Sequence, residues 1–159
     1  MLLSRSEAVD GQTVQALSNL LVEFAYRVDF ENGLTTAELF TSDGFYESEG
    51  QRSTGRAAIH EAYIKRAARG LRTSRHVFTN MRFRRLSDGR LAGKSIMLLF
   101  AEDGPPPHPA RPLLVADVDD IYAETSAGIL IASRTLTTLF IDPGAQPVLP
   151  LGHDSIGTA

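Results

Sequence analysis

The sequence predicts an α+β domain in which helices pack on one face of a curved, mostly antiparallel sheet. Amphipathic helical spacing is confined to the part of the chain before Gly70, and beyond it the residues are almost entirely strand-forming. The later strand runs are separated by Ser87-Asp88-Gly89 and by Thr125-Ser126-Ala127-Gly128. Both are turn chemistry suited to tight hairpins, so neighbouring strands are antiparallel. Helices first and a long meander afterwards is the order in which helices cover one sheet face.

Element by element, Asp10 is placed to cap a first helix whose apolar residues Val14, Leu17, Leu21, Phe24 and Val28 form one buried stripe. It runs to about Phe30, and Glu31-Asn32-Gly33 reads as its stop. Thr35 or Thr36 caps a short second helix over Ala37-Glu38-Leu39-Phe40, and Thr41-Ser42-Asp43-Gly44 turns the chain into a strand from Phe45 to Glu49. Gly50 to Gly55 is polar connection. A third helix carries the stripe Ala58, Ile59, Ala62, Tyr63 and Ala67 before Gly70 ends it. Four long strands follow, at Thr73–Arg85, Leu91–Ala101, Leu113–Glu124 and Ile129–Ile141. The proline-rich segment from Gly104 to Pro112 cannot pair in a sheet and forms a stiff loop. This places one domain at 1–142 and a Gly/Pro-containing tail at 143–159.

Composition narrows the function. A chain of 159 residues with 43 % hydrophobic and 22 % charged content suits one globular domain with a sizeable core. A net charge of −3 offers no basic excess for nucleic acid or an anionic membrane. The absence of cysteine excludes disulfides, thiolate metal sites and a cysteine nucleophile. No apolar run is long enough to span a bilayer, and the first ten residues lack a signal-peptide core, so the cytoplasm is the expected location. His60, among Glu61 and Lys65, reads as a helix-surface residue, neither His108 nor His153 has a partner at metal-ligand spacing, and no phosphate-binding glycine loop or serine-nucleophile pattern is present. No metal or cofactor is expected.

Chemistry concentrates on one histidine. His76 stands in the middle of a strand run, and Asp29 lies at the end of the first helix just off its stripe, with Tyr26 three residues before it. Brought together, His76 and Asp29 make an acid/base dyad: a carboxylate fixes the imidazole tautomer, and the ring takes a proton near neutral pH. The alternative is a capping aspartate and a half-buried, hydrogen-bonded histidine. Asn80 shares parity with His76 and either binds a substrate oxygen or satisfies backbone groups at a strand bend. Tyr46, Phe78, Met97 and Leu99 line a pocket or fill plain core. Asp117, Asp119 and Asp120 share a strand that ordinarily disfavours aspartate; a buried Asp120 needs a partner such as Arg134. Apolar residues at both parities, as in Ile96–Phe100 and Leu136–Ile141, imply that the outer sheet face is also partly covered, which points to a homodimer.

The order and spacing of Leu39-Phe40-Thr-Ser-Asp-Gly-Phe-Tyr46, Gly55-Arg-Ala-Ala-Ile-His60, Arg75-His-Val-Phe-Thr-Asn80 and Asp120-Ile-Tyr122 with Gly128 and Ile131-Ala-Ser-Arg134 resemble the SnoaL-like branch of the NTF2-like superfamily. Polyketide cyclases, scytalone dehydratase, bile-acid dehydratase and ketosteroid isomerase belong there. The resemblance covers roughly Asp10 to Ile141 and implies a cone with three N-terminal helices on the sheet. Tyr26, Asp29 and His76 match the helix tyrosine, helix aspartate and strand histidine of the dehydratases, where the dyad moves the proton and tyrosine polarises an oxygen. The second pocket histidine of scytalone dehydratase has no counterpart between Lys94 and Phe100, and the isomerase's base position falls near Ser48, where no carboxylate stands. Its late-strand acid falls at Asp120, or at Asp119 if the turn slips.

The resulting expectation is a cofactor-independent lyase or isomerase acting on a small hydrophobic, oxygenated ring compound. Catalysis is assigned to His76, Asp29 and Tyr26, and substrate binding to Asn80, Tyr46, Phe78, Met97 and Asp120. One alternative is a binding or assembly module similar to the β-subunit of ring-hydroxylating dioxygenases. Another is epoxide hydrolysis through an Asp-Arg-Asp arrangement, to which Asp120 and Arg134 would contribute.

Overall fold

The computed structural model describes residues 8–144. Helix α1 (Gly11–Glu31) leads through a 3-10 turn (Thr36–Leu39) to strands β1 (Phe40–Ser48) and β2 (Gln51–Thr54) and helix α2 (Gly55–Ala67). Four long strands complete the domain: β3 (Arg72–Arg85), β4 (Leu91–Asp103), β5 (Leu114–Thr125) and β6 (Gly128–Ile141). All six strands form one sheet in the order β2-β1-β6-β5-β4-β3, antiparallel throughout except for the parallel pair β1 and β6. The proposed tail lies outside the described residues except for Pro143 and Gly144.

Local chemistry explains the boundaries of α1. The Asp10 carboxylate accepts the Thr13 backbone N–H at 2.9 Å, and the helix stops where Asn32 and Gly33 take positive φ values of 57° and 75°. A side chain at Gly33 would run into the Tyr63 ring, so the stop also lets α1 and α2 approach.

Three expectations are corrected. Thr41 to Gly44 is not a turn before the strand but part of β1, which starts at Phe40 and carries a register shift before Phe45. The described residues form two α-helices, not three: Thr36–Leu39 is a single 3-10 turn without a side-chain cap, because β1 begins directly after it and a longer helix has no room to form. The polar segment after Gly50 is not mere connection but strand β2. Glu49 and Gly50 both adopt positive φ, 53° and 76°, which closes a two-residue hairpin pairing Ser48 with Gln51. Gln51-Arg-Ser-Thr54 has no apolar alternation to reveal it, since it is an edge strand held by backbone pairing.

Leu17, Leu21, Phe24 and Val28 of α1 and Ile59, Ala62 and Tyr63 of α2 are buried together with Met97, Leu99, Ala116, Val118 and Ile131 of the sheet. Val14 is exposed. On the opposite sheet face the register sets one apolar row, Val77, Leu98, Val115 and Phe140, two rows away from a charged one, Arg82, Lys94 and Asp119. Lys94 bridges Asp117 at 3.1 Å and Asp119 at 3.2 Å, so the odd-numbered aspartates do face outward.

Candidate active site

The last turn of α1 meets β3, and there Asp29 spends its whole carboxylate on the strand. Oδ1 accepts from Ser74 Oγ at 2.8 Å and from His76 Nδ1 at 2.7 Å; Oδ2 accepts the His76 backbone N–H at 2.7 Å. Burial acts to raise the Asp29 pKa, but the hydrogen bond and charge of His76, the strand N–H and Ser74 outweigh it and hold the carboxyl below the ordinary range. Asp29 is therefore ionised, and Nδ1 of His76 must carry a hydrogen to face it. In the neutral form of the ring the lone pair is then left on Nε2, which has no protein partner among the described residues. The two side chains are 4 % and 9 % exposed, so imidazole is screened from bulk water without being sealed from it. Behind them, buried Arg66 donates from Nη2 to Ser74 Oγ at 3.1 Å, which fixes the serine as a donor to Asp29.

Next to the dyad the inner surface becomes aromatic. Phe24 meets His76 and Phe78 edge-on, with ring centroids 6.4 and 6.1 Å away, and stacks beside Tyr46 at 6.4 Å. Below this group lies a second ion pair. Arg134 donates from Nε and Nη2 to Asp120 at 2.8 and 2.7 Å, and Tyr122 OH donates to Asp120 at 2.8 Å. Burial pushes the Tyr46 phenol up to about 12, so it remains a proton donor. Burial would lower the Arg134 pKa, but the Asp120 charge and hydrogen bonds more than compensate and raise it.

The inside of the fold thus collects His76, Asp29, Tyr46, Phe78, Met97 and Asp120. Tyr26 and Asn80 are not among them. Tyr26 is 52 % exposed and packs on Phe30, because a position three residues before Asp29 lies on the solvent side of the buried stripe. Asn80 is exposed at φ 53°, inside the bulge between Thr79 and Arg82, where strand parity breaks and its side chain leaves the His76 face. Sequence reasoning missed Arg66 and Ser74 as parts of the site. Arg66 lies three residues after Tyr63 on the buried stripe of α2, and Ser74 shares parity with His76; the spacing marked both positions. Their polarity disguised them. Among the described residues no group of three or more His, Cys, Asp or Glu side chains is disposed to hold a metal ion.

The family model of the SnoaL-like domain matches residues 12–135. The chain belongs to the SnoaL-like family. The match spans α1 to the middle of β6 and so includes the dyad and the Asp120–Arg134 pair. Solved structures agree on the fold. ActVI-ORFA from Streptomyces coelicolor superposes with a TM-score of 0.70 at 20 % identity, over 79 % of this chain and 97 % of that one. Aln2 from another Streptomyces species gives 0.72 at 17 % identity, over 82 % and 93 %. A Novosphingobium aromaticivorans protein provisionally assigned as an aromatic ring hydroxylase gives 0.71 at 17 %, over 84 % and 93 %. No curated protein sequence matches this chain. No helix among the described residues is long and apolar enough to cross a membrane.

Proposed function

We propose that the chain is a cofactor-independent lyase or isomerase, dehydratase- or cyclase-like, acting on a small hydrophobic ring compound bearing a carbonyl oxygen. The observation that carries this reading is the His76 Nδ1 to Asp29 Oδ1 contact of 2.7 Å, with every oxygen of Asp29 already engaged. Asp29 orients the ring, and Nε2 removes a proton beside the carbonyl. The C–H electrons form an enolate. In a dehydration the imidazolium returns the proton to a departing hydroxyl, which leaves as water; in an isomerisation it returns it to another carbon. Such positioned proton transfer contributes about 10²–10⁴-fold. Screening aromatic β-hydroxy ketones by absorbance tests the reading: His76→Ala should abolish turnover of any substrate found while its circular dichroism stays that of the parent. Unchanged turnover would refute it.

A second reading, a ligand-binding or assembly module, draws support from the closed interior, where Arg134 is 0 % exposed, and from the ring-hydroxylase-like neighbour. Co-purification with a larger metal-bearing chain would favour it over an enzyme acting alone. We also propose that the outer sheet face joins two copies, because the row holding Val77 (44 % exposed) and Phe140 (68 % exposed) leaves apolar surface open. Light scattering at micromolar concentration should give the dimer mass; a monomer mass would contradict it. Epoxide hydrolysis is not favoured, since Asp120 is the one carboxylate bridged to Arg134 among the described residues.

A further inference from the structure

Arg134 leads the fully buried side chains by size, and its guanidinium is only half used. The register of β5 and β6 sets Asp120 directly opposite Arg134, so the carboxylate takes the Nε and Nη2 edge. Nη1 finds no acceptor among the described residues. The guanidinium carbon instead lies 4.2 Å from the Phe24 ring centre and 5.2 Å from that of Phe78. A ring face attracts the charge but offers no lone pair in the plane of the N–H groups. An orphaned buried donor costs roughly 1–3 kcal/mol, more when charged, so folds seldom retain one without use.

We propose that Nη1 of Arg134 is an oxygen-binding donor beside the aromatic group: it takes the carbonyl oxygen of a neutral, planar ring ketone seated against Phe24 and Phe78, and then holds the enolate. This rests on the reading of His76 as base and names the substrate class for it. Neutrality follows from the charge balance, because Arg66 and Arg134 are offset by Asp29 and Asp120. A permanently charged ligand would enter without a counter-ion. A ketone acquires its negative oxygen only as His76 becomes imidazolium: the C–H bond breaks, its proton goes to Nε2, its electron pair forms the C=C bond, and the carbonyl π pair moves to the oxygen on Nη1. Planarity follows from the walls, which are the Phe24, Phe78 and Tyr46 rings. Phe78 is partly exposed where Phe24 is buried, so the ligand meets Phe78 first from the solvent side.

Binding of two probes of one shape tests this on the full chain: 2-acetonaphthone and 2-isopropenylnaphthalene, which lacks the oxygen. Calorimetry should show the wild type preferring the ketone roughly tenfold or more, and the charge-neutral double variant Arg134→Met with Asp120→Asn binding both alike. His76→Ala should keep the preference, so failure of the base assignment and failure of this subsite are separable. Where the double variant does not fold, the wild type decides alone: the carbonyl ¹³C resonance of the bound ketone should move downfield of its position in apolar solvent. Equal affinities in the wild type, a preference that survives in the double variant, an unshifted carbonyl, or no ketone binding at all would each overturn the proposal.

Discussion

Two buried carboxylates organise the inside of this fold, and they do opposite things with their partners. Asp29 faces a side chain that can gain and lose a proton, at a place 9 % exposed on the histidine side; Asp120 faces an arginine that cannot, where neither side chain is more than 2 % exposed. The first pair can move a proton, and the second can only hold a charge still. Position in the sheet explains the division. β3 is an edge strand under the end of α1, so its histidine lies near the rim of the sheet; β5 and β6 are central strands, and a charge there must be neutralised within the fold.

The comparison breaks most visibly at Asp120. Asp120→Ala leaves Arg134 charged and buried, and urea denaturation should show a loss of about 3–5 kcal/mol, whereas removing both partners should cost far less. Unequal roles predict unequal kinetics: His76→Asn should lower turnover about 10²–10⁴-fold with folding stability near that of the parent. Asp29→Ala strands three donors between α1 and β3, and a loss of about 1–3 kcal/mol is expected in the same denaturation series.

A pH series sharpens the contrast further. Because the folded pKa of Asp29 lies below its unfolded value near 3.8, its contribution to stability is complete above that pH and is lost as the pH falls through the folded value. Stability measured from pH 5 downward should therefore drop more steeply in the parent than in Asp29→Asn, and the difference should emerge only below about pH 4. Parallel curves would show that the carboxylate is not held by its partners. Ser74→Ala, which removes one of the three hydrogen bonds to Asp29, should cost about 0.5–1.5 kcal/mol. Tyr26→Phe, on the solvent side of α1, should change stability by less than about 0.5 kcal/mol and leave turnover alone.

Much of this was legible in the chain. The 3,4 spacing of Leu17, Leu21, Phe24 and Val28 marked the buried face of α1, and the Asp-Gly and Ala-Gly turns marked the hairpins of the meander. The Asp29 and His76 juxtaposition was readable because helix end and strand middle each offered one titratable group next to an apolar stripe. Asp120 with Arg134 was readable for the complementary reason, that a buried aspartate demands a cation. What escaped notice followed other rules. β2 is held by backbone pairing and a positive-φ turn rather than by side-chain pattern, and the parallel pairing of β1 with β6 joins strands far apart in sequence, with no turn between them to signal it. Asn80 was misplaced by a bulge, which no parity count survives. Tyr26 was misplaced because three residues along a helix is near enough to share a side but not a stripe. Arg66 shows that a charged residue on a buried face is a site signal and not an interruption of the pattern.

The proton on the His76 ring decides the central claim without knowledge of any substrate. Long-range ¹H–¹⁵N correlation of the imidazole, recorded where a pH series shows the ring to be neutral, should show a protonated Nδ1, with its proton far downfield from the short contact to Asp29, and an Nε2 that bears only a lone pair. An Nε2 found protonated with a bare Nδ1 would contradict the account, since the nitrogen not held by Asp29 would then have no basicity to offer.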